Sequence, residues 1–131
     1  MPDIRVSAAV IVDDRGRALV VRKRGTTRFM QPGGKPEPGE SAAATLIREL
    51  DEELSLQVVE ADLTPLGTFV SAAANEPDHR VIADAFALRA QPVDVVVQAE
   101  LAELRWLEPG DWTSVPLAPL STEHLLPIAW T

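Results

Sequence analysis

The chain has no cysteine and no tyrosine, only two histidines, and no apolar run near the eighteen or so residues that cross a membrane. Without cysteine, disulfides and thiolate metal sites are excluded. His79 and His124 lack metal-ligand spacing and read as ordinary surface residues. The opening MPDIRVSAAVIVDD has neither the basic head nor the unbroken apolar stretch of a signal peptide. These absences point to a cytoplasmic protein with no membrane partner. Positive charge is also scarce: the formal net charge is −8, which argues against binding a nucleic-acid polymer.

The 131 residues suit a single domain, residues 1–131, with 46% hydrophobic and 24% charged residues, an ordinary globular balance. The charges are unevenly spread. Residues 1–35 carry eight basic and three acidic residues; the remainder carries four basic and seventeen acidic. Such a split suits a site needing both signs, cations for a polyanion and carboxylates for a metal.

RVSAAVIV and ALVVRKR read as strands joined by a turn at DDRGR, with Arg22 and Arg24 on one face by the period of two. GTTRFMQPGGKPEPGE is a turn-rich loop, with Phe29 and Met30 as a short strand candidate. LQVVEA, LTPLGTFVSA, HRVIADAFALRA and AELRWLEP read as further strands. PLSTEHLLPIAW reads as a C-terminal helix capped by Ser121 or Thr122. The whole predicts an α+β sandwich, a mixed sheet with two helices on it.

Residues 41–54 are alanine-rich and free of Gly and Pro, and read as a helix. At about 100° per residue, Ala43, Leu46, Ile47, Leu50 and Leu54 share one arc. Glu49, Glu52 and Glu53 share the neighbouring arc. Three like charges repel, and Glu52 and Glu53 also face the negative end of the helix dipole. Arg48 offsets part of this cost but not all, so a cation is missing from the sequence. Oxygen-only ligands point to Mg²⁺ or Mn²⁺ rather than zinc.

The segment Gly34, Glu40, then Arg48-Glu49-Leu50-Asp51-Glu52-Glu53-Leu54-Ser55-Leu56 resembles the signature box of the Nudix hydrolases, and QPGG before it is similar to the family's usual approach. One position departs: Ser55 stands where the family has glycine. A serine in the left-handed turn that closes a helix costs about 1 kcal/mol, or the turn takes another shape.

The resemblance implies an α/β/α sandwich with the box helix packed on a mixed sheet. It also implies Mg²⁺- or Mn²⁺-dependent hydrolysis of a small nucleotide by a monomer or homodimer. Glu52 and Glu53 would be the main metal ligands, with the Gly33 carbonyl as another and Glu40 contributing directly or through water. Glu49 would be ligand or general base, held by Arg48; Arg48, Glu49 and Glu53 are thus the expected catalytic residues. A later loop often adds a carboxylate, for which Glu100 is the candidate and Glu103 the runner-up. Arg22, Arg24, Arg28 and Lys35 surround the box in sequence and are the expected phosphate contacts.

The box does not name the substrate. The lack of tyrosine removes a mark of diadenosine polyphosphate hydrolases. Pro65 lies too early and Pro77 too late for the proline of ADP-ribose pyrophosphatases. The small chain resembles MutT-type enzymes that convert nucleoside triphosphates to monophosphate and pyrophosphate, some of which discard oxidised nucleotides. The alternatives are an ADP-ribose or nucleotide-sugar pyrophosphatase, a non-catalytic nucleotide sensor, and an acidic interaction domain.

Overall fold

A computed structural model describes residues 2–131. Its centre is strand β1 (Asp3–Val12), whose middle, Ala8 to Ile11, is buried on both faces. β2 (Ala18–Lys23) is equally apolar at its start, and β3 (Gly33–Gly34) is a two-residue strand beside β1. β4 (Thr64–Ala72), β5 (Arg80–Arg89) and β6 (Leu101–Leu107) complete a sheet of order β4-β5-β1-β2-β6, with β3 off this path. β1 and β5 run parallel over ten residue pairs, and the remaining pairings are antiparallel. The sheet is therefore mixed, with helices on both faces, in accord with the α+β sandwich.

Helix α1 (Ala42–Leu54) covers one face. Ser41 caps its start, its hydroxyl accepting from the Ala44 N–H at 3.1 Å. Leu46, Leu50 and Leu54 are fully buried against Ala9, Ile11, Leu19 and Val21. Each such leucine contributes about 2 kcal/mol of burial. Ser7, buried in β1, donates to the Ala42 carbonyl at 2.8 Å and ties the first turn to the sheet. The C-terminal helical segment, a π-helical turn Ser121–Leu125 leading into α2 (Leu126–Ala129), covers the other face. Among the described residues no helix is long and apolar enough to cross a membrane.

Three expectations need correction. LQVVEA is not a strand: Leu56 and Val58 pack on the α1 core from irregular backbone, and Glu60–Asp62 forms a 3-10 turn. Neither Ser121 nor Thr122 caps the C-terminal helix. The Ser121 hydroxyl is buried and donates to Gln31 at 2.6 Å, while the Thr122 hydroxyl donates back to the Pro119 carbonyl. Arg24 lies beyond β2 in a turn, so it shares no strand face with Arg22.

Ser55 does adopt the left-handed conformation, φ 53° and ψ 31°. Its N–H donates to the Asp51 carbonyl and the Leu56 N–H to the Leu50 carbonyl, both at 3.1 Å. The helix exit thus keeps its usual closure with a Cβ in a strained setting. Ser55→Gly is expected to raise stability by about 0.5–1 kcal/mol. Urea unfolding checks this, and an unchanged or lower midpoint would contradict it.

Candidate functional site

The site begins with a wedge in the sheet. β1 and β2 meet at the pair Val12↔Ala18, and nearer its start β1 pairs instead with β3, at Ser7↔Gly34 and Ala8↔Gly33. Met30 bridges Val21 across the opening. The segment 29–34 therefore enters between the two strands. It fits because Gly33 has no side chain, and Glu49 keeps its place because Gly34 has none. A Cβ at Gly33 (φ 151°) would lie 1.9 Å from the Ser7 carbonyl oxygen, and one at Gly34 2.5 Å from the Glu49 carboxylate carbon.

Beside the glycines lies an open groove of about 430 Å³, lined by Lys23, Lys35, Glu49, Glu52, Glu53 and Glu100. α1 supplies three of these carboxylates from one flank. Glu100 arrives because the loop before β6 finishes the helix: the N–H groups of Val96 and Gln98 donate to the Leu54 and Glu53 carbonyls, both at 2.8 Å. The same loop is fixed on its far side by the Arg24 N–H, which donates to the Glu100 carbonyl at 2.8 Å.

Glu53 is the unusual member. Its side chain is buried, 4% exposed, and its Oε1 has no hydrogen-bond partner. Burial pushes its carboxyl up to about 7, and the nearby charges of Glu49 and Glu100 add to this. Lys23 and the Gly33 N–H act in the opposite direction without cancelling the rise.

Arg48 neutralises more of the cluster than the sequence suggests. Its guanidinium donates to Glu40 at 2.7 and 2.9 Å and to Glu49 Oε1 at 2.7 Å, and lies 3.4 Å from Glu37 and 3.5 Å from Glu52. Glu40 is consequently saturated: it also accepts from the Glu37 N–H and the Thr45 hydroxyl. These bonds, led by Arg48, hold its carboxyl down at about 2. Glu40 lines no part of the groove and braces Arg48; of the two expected roles, ligand directly or through water, its saturated carboxylate leaves the direct one without a free position.

The other expected cations divide. Lys35 lines the groove. Arg22 does not: it faces away from α1, bonds Glu103 and the Thr26 carbonyl, and lies over the Phe29 ring at 5.9 Å. That corrects Arg22 as a free phosphate contact, and it also removes Glu103 as the added carboxylate. Arg24 and Arg28 are exposed and line no part of the groove. Lys23 also lines the groove and was not among the expected site residues. The period of two already places Lys23 with Leu19 and Val21, on the face that packs on α1.

Among the described residues no three acidic or histidine side chains close into a ready-made metal cage. The donors nonetheless suit a hard divalent cation. All are oxygens, one buried carboxylate oxygen is unpartnered, and Mg²⁺ binds through a few carboxylates while keeping waters.

A stability test follows from Glu53. Between its unfolded value of 4.5 and its folded value of about 7, the folded protein holds the proton more tightly. Stability from this group is therefore present below pH 4.5, falls as pH rises to about 7, and stays low above. In metal-free protein Glu53→Gln should melt higher than wild type at pH 8, by on the order of 1 kcal/mol or more. The difference should shrink towards pH 4.5; a difference independent of pH would contradict the assignment.

The family model for the NUDIX domain matches residues 1–130. The chain is 29% identical over 118 residues to the uncharacterized Nudix hydrolase YvcI of Bacillus subtilis (strain 168), covering 88% of this chain and 72% of that protein. Its fold is similar to the solution structure of the E. coli ORF135 protein, at TM-score 0.72 and 26% identity, covering 97% of this chain and 88% of the other. It is also similar to the MutT protein of Methanosarcina mazei Go1, at TM-score 0.76 and 23% identity, covering 98% and 93%. With the box on α1 and the family match along almost its whole length, the chain belongs to the Nudix hydrolase family, whose members act on small nucleotides and generally depend on divalent metal.

Proposed function

We propose that the chain, acting as one domain over residues 1–131, hydrolyses nucleoside triphosphates to monophosphate and pyrophosphate with Mg²⁺ or Mn²⁺. The observation that carries this reading is the groove, where the unpartnered Glu53 oxygen meets Glu49, Glu52 and Glu100 with Lys23 and Lys35 close by. A phosphate chain needs both signs in one place, carboxylates to hold a divalent ion and cations to offset its own charge.

Glu52, Glu53 and Glu100, with the Gly33 carbonyl, would hold the ion, and of its two expected roles Glu49 takes that of general base. Once bound, it supplies charge neutralisation on the phosphates and acidifies a water. Lys23 and Lys35 bind the phosphate oxygens from the groove wall. Arg48 fixes Glu49 through Oε1, and the carboxylate rests against Gly34 at the groove. From there Glu49 accepts the proton of the attacking water as the new P–O bond forms and the anhydride P–O bond breaks.

Product analysis with a panel of nucleoside triphosphates and nucleotide sugars tests this. Wild type should release pyrophosphate from triphosphates and leave the sugars largely intact. Glu53→Gln and Glu52→Gln should each lower kcat by roughly 10²–10⁴, and Lys23→Ala should mainly raise KM. Full activity in Glu53→Gln, or preferential cleavage of the sugars, would overturn the reading.

A further inference from the structure

Where α1 ends, the chain departs from the signature box, and the departing residue makes a contact that glycine cannot make. Ser55 sits in the left-handed conformation at φ 53°, where a Cβ is unfavourable and glycine is at ease. Its hydroxyl accepts a hydrogen bond from the side-chain amide of Gln98, 43 residues further along the chain. Gln98 opens the turn that carries Glu100 to the groove. The Leu101 N–H closes that turn on the Gln98 carbonyl at 3.1 Å, with Ala99 and Glu100 between. Ala99 is also left-handed, again at φ 53°. Of the three non-glycine residues with positive φ among the described residues, two therefore flank this one connection.

Strain of this kind persists only where the surroundings hold it. The Arg24 N–H holds the far side of the turn through the Glu100 carbonyl, and the Gln98 N–H holds the near side through the Glu53 carbonyl, both at 2.8 Å. A single main-chain bond at Gln98 is a pivot. The side-chain bond to Ser55 is a second point of attachment on the same residue, and it removes rotation about the first.

We propose that Ser55 is a positioning residue: its hydroxyl clasps Gln98 and so fixes the turn that sets Glu100 against Glu53. The assignment rests on the reading of Glu100 as a ligand to the divalent ion. Ser55 and Gln98 are both exposed, so the effect of their bond is confined to the turn and adds little to the stability of the whole fold. Without the clasp the strained turn opens for part of the time. The affinity for the ion then falls in proportion to the fraction of molecules still closed.

The test uses metal-free, substrate-free protein and two readouts that need no turnover. Titration calorimetry gives the Mg²⁺ dissociation constant, and hydrogen exchange at the Leu101 amide, before metal is added, reports opening of the turn. Glu100→Gln should weaken binding. Ser55→Gly should melt higher than wild type yet bind Mg²⁺ roughly three- to tenfold more weakly. Gln98→Ala should weaken binding by a similar factor, and in both variants the Leu101 amide should exchange faster. Ser55→Thr keeps the hydroxyl on a β-branched residue still less suited to positive φ, so it should melt lower and keep the affinity. A purely structural role would move melting and affinity together. Adding Ser55→Gly to Glu100→Gln should leave the dissociation constant where Glu100→Gln alone puts it, because the clasp acts through Glu100.

Unaltered affinity in Ser55→Gly and Gln98→Ala, with binding weakened in Glu100→Gln, would overturn the clasp and leave the ion site standing. An effect of Ser55→Gly that persists beside Glu100→Gln would overturn its action through Glu100. Wild type that binds no Mg²⁺, or Glu100→Gln that binds it as tightly as wild type, would instead overturn the ion reading on which the clasp rests.

Discussion

The structure depends on a close approach that only two missing side chains permit. Gly33 and Gly34 lie against β1 on one side and the Glu49 carboxylate on the other, with no room for a Cβ at Gly33 and none at Gly34 unless Glu49 moves. This contact holds β1 and β2 apart, so that a central sheet buried on both faces still opens a wedge. It also sets how close α1 comes to the loop. The groove on the α1 side, an enclosed pocket within the wedge, and the position of Lys23 and Glu53 on the wall of both then follow.

The energetics of the helix divide its carboxylates into two kinds. Glu40 is satisfied by Arg48, Thr45 and the Glu37 N–H, and contributes rigidity. Glu53 is buried with an unpartnered oxygen, which costs stability in the protein alone and, under the proposed function, is offset when a cation meets it. Arg48 stands between the two kinds, converting the fixed position of Glu40 into a fixed orientation for Glu49. Under the proposed function, a buried carboxylate framed this rigidly is organised for charge that arrives with the substrate complex.

Much of the local organisation was legible in the sequence, because capping, helical period and glycine turns act within a few residues. Helix α1 runs from Ala42 to Leu54 with Ser41 as its cap, against a reading of 41–54, and its leucines face the sheet as the wheel requires. What depended on distant partners was less legible. Arg22 was grouped by position with the phosphate contacts, but its strand face turns it to Glu103. Lys23, one residue on, takes the groove. Leu56 and Val58 have the composition of a strand, yet their burial comes from packing under α1 and needs no ladder. Gln31 and Ser121 are ninety residues apart and become a pair only through the sheet and the π-helical turn.

The central claim is that the buried Glu53 and its neighbours form a cation site. Thermal unfolding during a Mg²⁺ titration of initially metal-free protein tests it most directly. The account predicts that saturating Mg²⁺ stabilises wild type, by about 2.7 kcal/mol at a hundred times the dissociation constant. Glu53→Gln, already relieved of its buried charge, should gain little. A wild-type melting temperature unmoved by Mg²⁺, or equal gains in both proteins, would contradict the claim.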